Sequence, residues 1–298
     1  MKKNIELYPL THPQKAVWFT EKLHPDTSIG NIAGTLRIKE NVNLTILEKA
    51  INIFIEKNDS MRIHIVEADG EPRQYLSEYR YYKLDFFDFS GKDINELYKW
   101  DSEMTRTSFD LIDSDLFYFA LIKISDNDSG FYLKCHHLIS DAWSTSLLGN
   151  QIMSYYSDIK KGIEVTAANN PSYLDYIEIE NDYKNSNRML RDKEYWYDIF
   201  KSFPGETALK EVIPDKVSTK ARRKTMLTPK KLTAKINQYC AENNVSVFSL
   251  FIAALAMYIN RITAKEDIVI GTTILNRLNK KEKETVGMFD NILPMRVR

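Results

Sequence analysis

The strongest constraint on the fold is a strand pattern that passes directly into a helix pattern. Residues 131–136 are aromatic and apolar and follow a turn-like run at 126–130, which is typical of a strand. Further along, apolar side chains recur at helical spacing at Leu148, Ile152, Tyr155 and Tyr156. The sequence therefore predicts a strand and a helix joined by a short junction, with Ser140 or Asp141 as the helix cap.

The junction carries two histidines and a carboxylate. Because strand side chains alternate between faces, His136 and His137 are predicted to point to opposite sides and to have different roles. The predicted faces are Phe131, Leu133, Cys135 and His137 on one side, and Tyr132, Lys134 and His136 on the other. A base and a carboxylate placed here could carry acid–base chemistry. However, most histidines are surface or hydrogen-bonded core residues, and Asp141 is either a helix cap or an ion-pair partner.

The residues from His136 to Trp143 resemble the signature of a known enzyme family. They match the pattern His-His-x-x-x-Asp-Gly followed by Trp and Ser, except that Ala142 stands in place of the glycine. This pattern is typical of the condensation domains of nonribosomal peptide synthetases. The departure adds a methyl group, which a helix start accepts readily and a backbone with positive φ does not.

Further segments resemble the same family, in the same order along the chain. They are residues 8–19 with a Leu-Thr opening and a Gln, 31–34, 47–62 ending in Arg62, 268–277, and the Gly-x-Phe-x-Asn-x-Leu-Pro-x-Arg segment within 286–296. Asp290 and Ile292 differ from the usual residues of that last segment. Ordered matches over almost the whole chain argue against a chance resemblance.

The resemblance implies a mixed α/β (α+β) chain with the two-lobed fold of chloramphenicol acetyltransferase and a tunnel between the lobes. Residues 1–170 would form a complete N-terminal lobe, and residues 171–298 would form a partial C-terminal lobe. Because the late motif lies so close to Arg298, we expect the chain to be truncated within the second lobe.

The resemblance also implies amide-bond formation between a donor acyl or peptidyl thioester and an acceptor aminoacyl thioester. Both substrates would be held on the 4'-phosphopantetheine arms of donor and acceptor carrier domains, with an adenylation domain adjacent. No cofactor and no metal would bind to the chain directly. Whether the truncated chain is active by itself stays open.

The same resemblance assigns roles to individual residues. His137 would sit at the centre of the tunnel, orient the amine, and then take its proton or stabilise the charged tetrahedral intermediate, and His136 would support it. Asp141, the third residue of the candidate catalytic set, would pair with Arg62 and be mainly structural. Neighbours of the site with weaker claims, or placed by motif match alone, are Ala142, Trp143, Ser144, Asn291 and Arg296.

Two other functions stay open. A coenzyme A-dependent acyltransferase of the same superfamily would share the fold, and activity with a soluble acyl-coenzyme A would reveal it. A non-catalytic or epimerising relative would bind a carrier domain without joining peptides, and Ala142 is the residue that favours it.

Charge and cysteine usage exclude further classes. The chain has 41 Lys and Arg against 41 Asp and Glu, so no net field recruits nucleic acid or an anionic membrane, and the basic run at 220–224 is read as solvated. Cys135 and Cys240 form neither a disulfide framework nor a zinc pattern.

The longest apolar run, 247–259, is too short to span a membrane and predicts a buried helix capped by Ser246. We expect a cytoplasmic monomer.

Overall fold

The structure is a computed structural model that describes residues 5–165, 170–205, 209, 219, 221 and 224–298. Lys220, Arg222 and Arg223 of the basic run lie outside the described residues. So does the segment 166–169, next to the predicted lobe boundary.

The described strands and helices are labelled in chain order. The strands are β1 Tyr8–Pro9, β2 Asn31–Ile38, β3 Ile63–Ala68, β4 Glu71–Leu76, β5 Asp85–Asp88, β6 Phe117–Ser125, β7 Asp128–His136, β8 Ile268–Ile274 and β9 Asn291–Val297. The helices are α1 His12–Leu23, α2 Leu44–Lys57, α3 Ile94–Arg106, α4 Ala142–Lys160, α5 Tyr173–Lys184, α6 Asn187–Ile199, α7 Lys230–Glu242, α8 Val247–Thr263 and α9 Lys280–Glu284. A 3₁₀ helix, Asp59–Arg62, precedes β3.

The chain divides into two compact units, each made of two separate stretches. Unit 1 contains Met1–Ser186 and Leu275–Asn291, and unit 2 contains Asn187–Ile274 and Ile292–Arg298. The lobe boundary between residues 170 and 171 stays a prediction.

Unit 1 is organised by a four-stranded sheet in the order β2-β7-β6-β5. Pairing is antiparallel except between β5 and β6. The predicted alternation along β7 is confirmed, because Phe131, Leu133 and Cys135 belong to the larger core while Tyr132 belongs to a smaller one. The strand ends at His136, so His137 lies just beyond it.

The larger core joins this sheet to α2 and α4. Leu148, Ile152 and Tyr156 recur every four residues along α4 and are all buried, which confirms the predicted helix. The apolar face of α2, including Leu47 and Phe54, is buried in the same core. The strand and the helix that flank the His-His-Asp junction are therefore both anchored in one hydrophobic cluster.

A second sheet has the strand order β1-β4-β3, and Gln74 on its middle strand contacts the start of α1. The buried amides of Gln14 and Gln74 hydrogen-bond each other reciprocally, each at 2.8 Å. Gln14 also completes a capping box with Thr11 at the start of α1 and donates to the Leu138 carbonyl at 2.9 Å. The N-terminal motif thus braces the segment that follows His137.

Unit 2 contains α6, α7, α8 and the two-stranded sheet β8-β9, apart from Asn291 at the start of β9. The side chain of Ser246 accepts from the Ser249 amide, which confirms the predicted cap of α8. The prediction that α8 is buried is wrong, because Ala256 and Ile259 are its only buried residues. α8 packs against α7 and β8, and these elements leave large apolar side chains such as Phe248 and Phe251 exposed.

Within the part of the chain that the structure describes, no single helix has the length and apolar character needed to cross a membrane. The consecutive helices α7 and α8 reach that threshold only when taken together, and the chain bends by 103° between them.

Candidate active site

The segment between β7 and α4 is fixed by backbone hydrogen bonds on both sides. The His136 amide donates to the Leu116 carbonyl at 2.8 Å, and the His137 amide donates to the Gly30 carbonyl at 2.7 Å. The Ile139 amide then donates back to the His136 carbonyl at 3.0 Å, which closes a turn. His137 therefore leaves the sheet from a well-defined backbone position.

His137 has the features of a neutral base. Its side chain is half-buried, and its Nδ1 atom is fully buried with no hydrogen-bond partner among the described residues. Burial, followed by the neighbouring His136, lowers the pKa of His137 from its ordinary value, while Asp141 and the Ser140 backbone act in the opposite direction. Burial thus favours the uncharged imidazole, which is the form able to accept a proton.

His136 is held quite differently. Its Nδ1 accepts a hydrogen bond from the Leu138 amide at 3.1 Å, so the proton of the neutral ring is on Nε2. Nε2 lies 3.2 Å from Oε1 of Glu21, near the end of α1, and both side chains are buried. With both ring nitrogens occupied inside the protein, His136 is a structural neighbour of His137.

Asp141 is both a helix cap and an ion-pair partner, the two alternatives that the sequence left open. Its Oδ1 accepts from the Ser144 amide at 2.7 Å, which caps α4. Its Oδ2 accepts from the Phe289 amide at 3.0 Å and lies 2.9 Å from the Arg277 guanidinium. The ion pair is completely shielded from solvent, with both side chains at 0% exposure.

The expected ion pair between Asp141 and Arg62 is wrong. Arg62 instead donates to the Ser77 carbonyl at 2.8 Å and to the Glu56 carbonyl at 3.3 Å. Its two terminal guanidinium nitrogens thus bond backbone carbonyls just after β4 and at the end of α2. The cation at Asp141 is Arg277, which comes from the stretch Leu275–Asn291.

Arg277 organises the loop that covers the start of α4. It donates to the carbonyls of Glu282, Thr285 and Gly287, and to Oγ of Ser144 at 2.9 Å. Its guanidinium also lies 3.8 Å from the centre of the Phe289 ring. The sequence contained a signal for this residue, because Arg277 ends the segment 268–277 that resembles a family motif.

The remaining predicted neighbours are placed as follows. Ser144 is buried, and its hydroxyl bonds both the amide and the carbonyl of Gly287, at 3.0 and 2.8 Å. The Trp143 indole is partly exposed and donates to the Lys283 carbonyl at 2.8 Å. Ala142 is the exposed first residue of α4 and is not among the residues with positive φ, so its methyl group causes no backbone strain. Asn291 begins β9.

Two further observations concern residues late in the chain. Asp290 is the residue after Phe289, whose amide binds Asp141. Burial and the charge of Asp141 raise the pKa of the Asp290 carboxyl to about 6, and the charge of Arg277 opposes this shift.

In unit 2, Arg296 pairs with Asp267 and lines a cavity of about 530 Å³ between α6 and the strands β8 and β9. Among the residues predicted for the site, Arg296 alone lines this cavity.

No group of three or more His, Cys, Asp or Glu side chains is arranged to bind a metal ion in the described stretches.

The chain matches the family described as "Condensation domain" over residues 4–298. It is 39% identical over 297 residues to a plipastatin synthase protein of Bacillus subtilis, covering 97% of this chain and 11% of that protein. It is 38% identical to surfactin synthase subunit 1 of the same organism, covering 98% of this chain and 8% of that protein. The chain thus spans about a tenth of the length of these relatives.

Solved structures agree on the fold. The first condensation domain of the CDA synthetase superposes with a TM-score of 0.82 at 21% identity, covering 98% of this chain and 70% of that one. A starter condensation domain of rhizomide synthetase in complex with C8-CoA gives 0.81 at 21% identity, covering 97% and 66%. The predicted mixed α/β fold is confirmed. The chain belongs to the condensation domain family, whose members in nonribosomal peptide synthetases form peptide bonds between carrier-bound substrates.

Proposed function

We propose that this chain joins a donor acyl or peptidyl thioester to an acceptor aminoacyl thioester through an amide bond, with both substrates on phosphopantetheine arms of carrier domains. The observation that carries the proposal is the half-buried imidazole of His137, whose pKa is lowered by burial and whose backbone amide is held by a hydrogen bond to Gly30. The acceptor nitrogen attacks the thioester carbonyl, forming the C–N bond, and the C–S bond then breaks. The amine proton passes through His137 to the departing thiolate.

The demand on His137 as a base is modest. An α-amino group has a pKa of ~7.7–8, so roughly a tenth to a sixth of it is already the free nucleophile near pH 7. His137 has to remove a proton only after the attack, when the nitrogen carries a positive charge and is a strong acid. A neutral imidazole with a lowered pKa is suited to that step. Holding two tethered reactants in place supplies a further part of the rate.

His136, Asp141 and Arg277 act on the position of His137 and not on the substrates. His136 uses both ring nitrogens inside the protein. Asp141 and Arg277 are buried and tie the start of α4 to the loop after β8. We assign these three side chains to the support of the site, together with Ser144.

The partners in this proposal are donor and acceptor carrier domains and an adjacent adenylation domain. The likeness to large peptide synthetases supports them, because those relatives are about ten times longer than this chain. We further propose that the protein acts as a cytoplasmic monomer. Along the sequence, the first lobe ends at residue 170 and the second begins at residue 171.

The test uses the full-length protein that its gene encodes, with a loaded donor carrier and an aminoacyl acceptor carrier. Intact-protein mass spectrometry follows the acyl group from donor to acceptor. We expect His137→Ala to slow transfer roughly 100- to 10,000-fold without abolishing it, because substrate positioning remains. The matched control is His12→Ala, which removes an exposed imidazole at the start of α1. Equal rates in wild type and His137→Ala would contradict the role of His137.

A coenzyme A thioester is a second candidate donor. It is favoured by the starter condensation domain of the same fold that was solved with C8-CoA. Replacing the loaded donor carrier by C8-CoA in the same assay separates the two donors. If both carriers bind but the acceptor mass never changes with either donor, the chain is a non-catalytic carrier-binding relative.

A further inference from the structure

We propose that Glu21 is a positioning residue for the transfer reaction and acts on His137 through His136. The inference rests on the function proposed above, because it requires His137 to take part in the reaction. Glu21 is 7% exposed, lies near the end of α1, and faces Nε2 of His136 across 3.2 Å. It touches neither His137 nor, in the proposed mechanism, any substrate.

The ring of His137 needs external support. Within the described stretches its Nδ1 has no hydrogen-bond partner, so its side chain is not fixed through that atom. Besides the interaction with the Ser140 backbone, the position of the ring depends on the backbone of His137 and on the two residues on either side of it. Those residues are His136 and Leu138, and both are tied down by hydrogen bonds.

Glu21 begins the chain of contacts that fixes these neighbours. Its carboxylate accepts the Nε2 proton of His136, which leaves Nδ1 as a lone-pair acceptor for the Leu138 amide at 3.1 Å. The Leu138 carbonyl accepts from Gln14 at 2.9 Å, also on α1. One helix therefore holds the residue before His137 through Glu21 and the residue after it through Gln14.

Gly30 supplies an independent observation. A Cβ atom at this position would lie 2.4 Å from both Glu21 Oε1 and His136 Nε2. The same residue accepts the His137 amide through its carbonyl at 2.7 Å. The space beside Gly30 is thus filled by the Glu21–His136 hydrogen bond at the point where His137 is anchored.

Three variants test this arrangement. Glu21→Ala leaves the buried Nε2 proton of His136 without its acceptor, so the ring can turn and the Leu138 amide loses its partner. Glu21→Gln keeps an acceptor oxygen of the same reach and should rescue most of the function. Gly30→Ala forces the pair apart from the other side and should behave like Glu21→Ala.

Glu48→Ala is the matched control. Glu48 is also a buried glutamate of unit 1, 5% exposed, and its partners are Lys83, Tyr81 and the Leu84 amide. Its loss removes a buried glutamate and its hydrogen bonds, including one to the exposed Lys83, without involving the junction. Thermal unfolding of every variant shows how much general destabilisation contributes.

Two readouts are measured on the full-length protein. The first is deuterium uptake in the peptide that contains Leu138, which reports the turn regardless of activity. The second is the single-turnover rate of acyl transfer with its KM. We expect Glu21→Ala to accelerate uptake and to slow transfer roughly 10- to 100-fold at an unchanged KM. Glu21→Gln should stay within a few-fold of wild type, and Glu48→Ala should change neither readout.

The proposal is overturned if Glu21→Ala slows transfer no more than Glu48→Ala does, or if uptake at Leu138 is unchanged. It is equally overturned if Glu21→Gln is as slow as Glu21→Ala. If the wild type itself transfers nothing, the function proposed above fails, and deuterium uptake alone decides whether Glu21 holds the turn.

Discussion

At the scale of single residues, the ion pair of Asp141 makes a direct energetic prediction. Arg277→Gln leaves a fully buried carboxylate without its cation, so we expect the free energy of unfolding to fall by ~3–5 kcal/mol. The double variant Arg277→Gln/Asp141→Asn should lose less unfolding free energy than the two single variants lose together. The difference, which is the coupling energy of the pair, should be about 1 kcal/mol or more. Chemical denaturation measures all members of the cycle.

Arg62 supplies the control for that cycle. It donates to backbone carbonyls and not to Asp141, so Arg62→Ala and Asp141→Asn should be additive within ~0.5 kcal/mol. Strong coupling of Asp141 to Arg62, with none to Arg277, would contradict the ion pair described above.

Asp290 makes a second prediction, on the pH dependence of stability. Its pKa is about 6 in the folded protein and 3.8 in the unfolded reference, so the folded state holds the proton more tightly. The contribution of this carboxyl to stability is present at low pH and is lost as the pH rises from about 4 to about 6. We expect Asp290→Asn to raise the free energy of unfolding at pH 7 by about 1 kcal/mol, allowing for its partial exposure.

The measurement is a set of denaturant titrations between pH 4 and pH 8 for wild type and Asp290→Asn. The two stability curves should converge near pH 4, diverge between about pH 4 and about pH 6, and stay a constant distance apart above that. Parallel curves over the whole range would show that Asp290 has an ordinary pKa.

At the scale of elements, the sequence predicted what is local and missed what is distant. Alternation along β7 and the four-residue spacing in α4 are properties of neighbouring positions, and both were confirmed. The partner of Asp141 lies 136 positions along the chain, and no periodicity reports such a contact. The support given by Glu21 to His136 was missed for the same reason, since 115 positions separate the two residues.

The loop after β8 is held against α5 by a close contact at Gly287, which gives an element-scale prediction. A Cβ atom here would lie 2.2 Å from the ring of Tyr173, the first residue of α5. Tyr173 is fully buried and donates to the Met288 carbonyl at 2.6 Å, so it cannot move aside freely. We expect Gly287→Ala to cost about 1–3 kcal/mol of unfolding free energy through overpacking.

Gly34→Ala is the matched control for this substitution. Gly34 lies on β2, and a Cβ atom there would meet nothing within 4 Å. Its stability should change by less than about 1 kcal/mol in the same denaturation experiment. If both alanine variants unfold at the wild-type denaturant concentration, Tyr173 is not tightly packed against the loop.

At the scale of the whole molecule, the apolar composition of residues 247–259 predicted a buried helix. In the structure, most side chains of this helix are exposed. An apolar run shows that a helix gains free energy from being covered, but it does not show what covers it. In unit 2 the described neighbours of α8 bury only Ala256 and Ile259. The two units therefore differ in how much of their apolar surface is removed from water.

This difference predicts unequal local stability. β7 is buried along nearly its whole length between two cores, whereas most of α8 is exposed. Because local opening is easier where few apolar contacts are lost, we expect the amides of α8 to exchange with deuterium well before those of β7. Asp141→Asn should accelerate exchange in the loop 275–291 and leave α8 unchanged, since Asp141 and this loop both belong to unit 1. Equal protection of α8 and β7, lost together in Asp141→Asn, would show instead that the two units open as one cooperative structure.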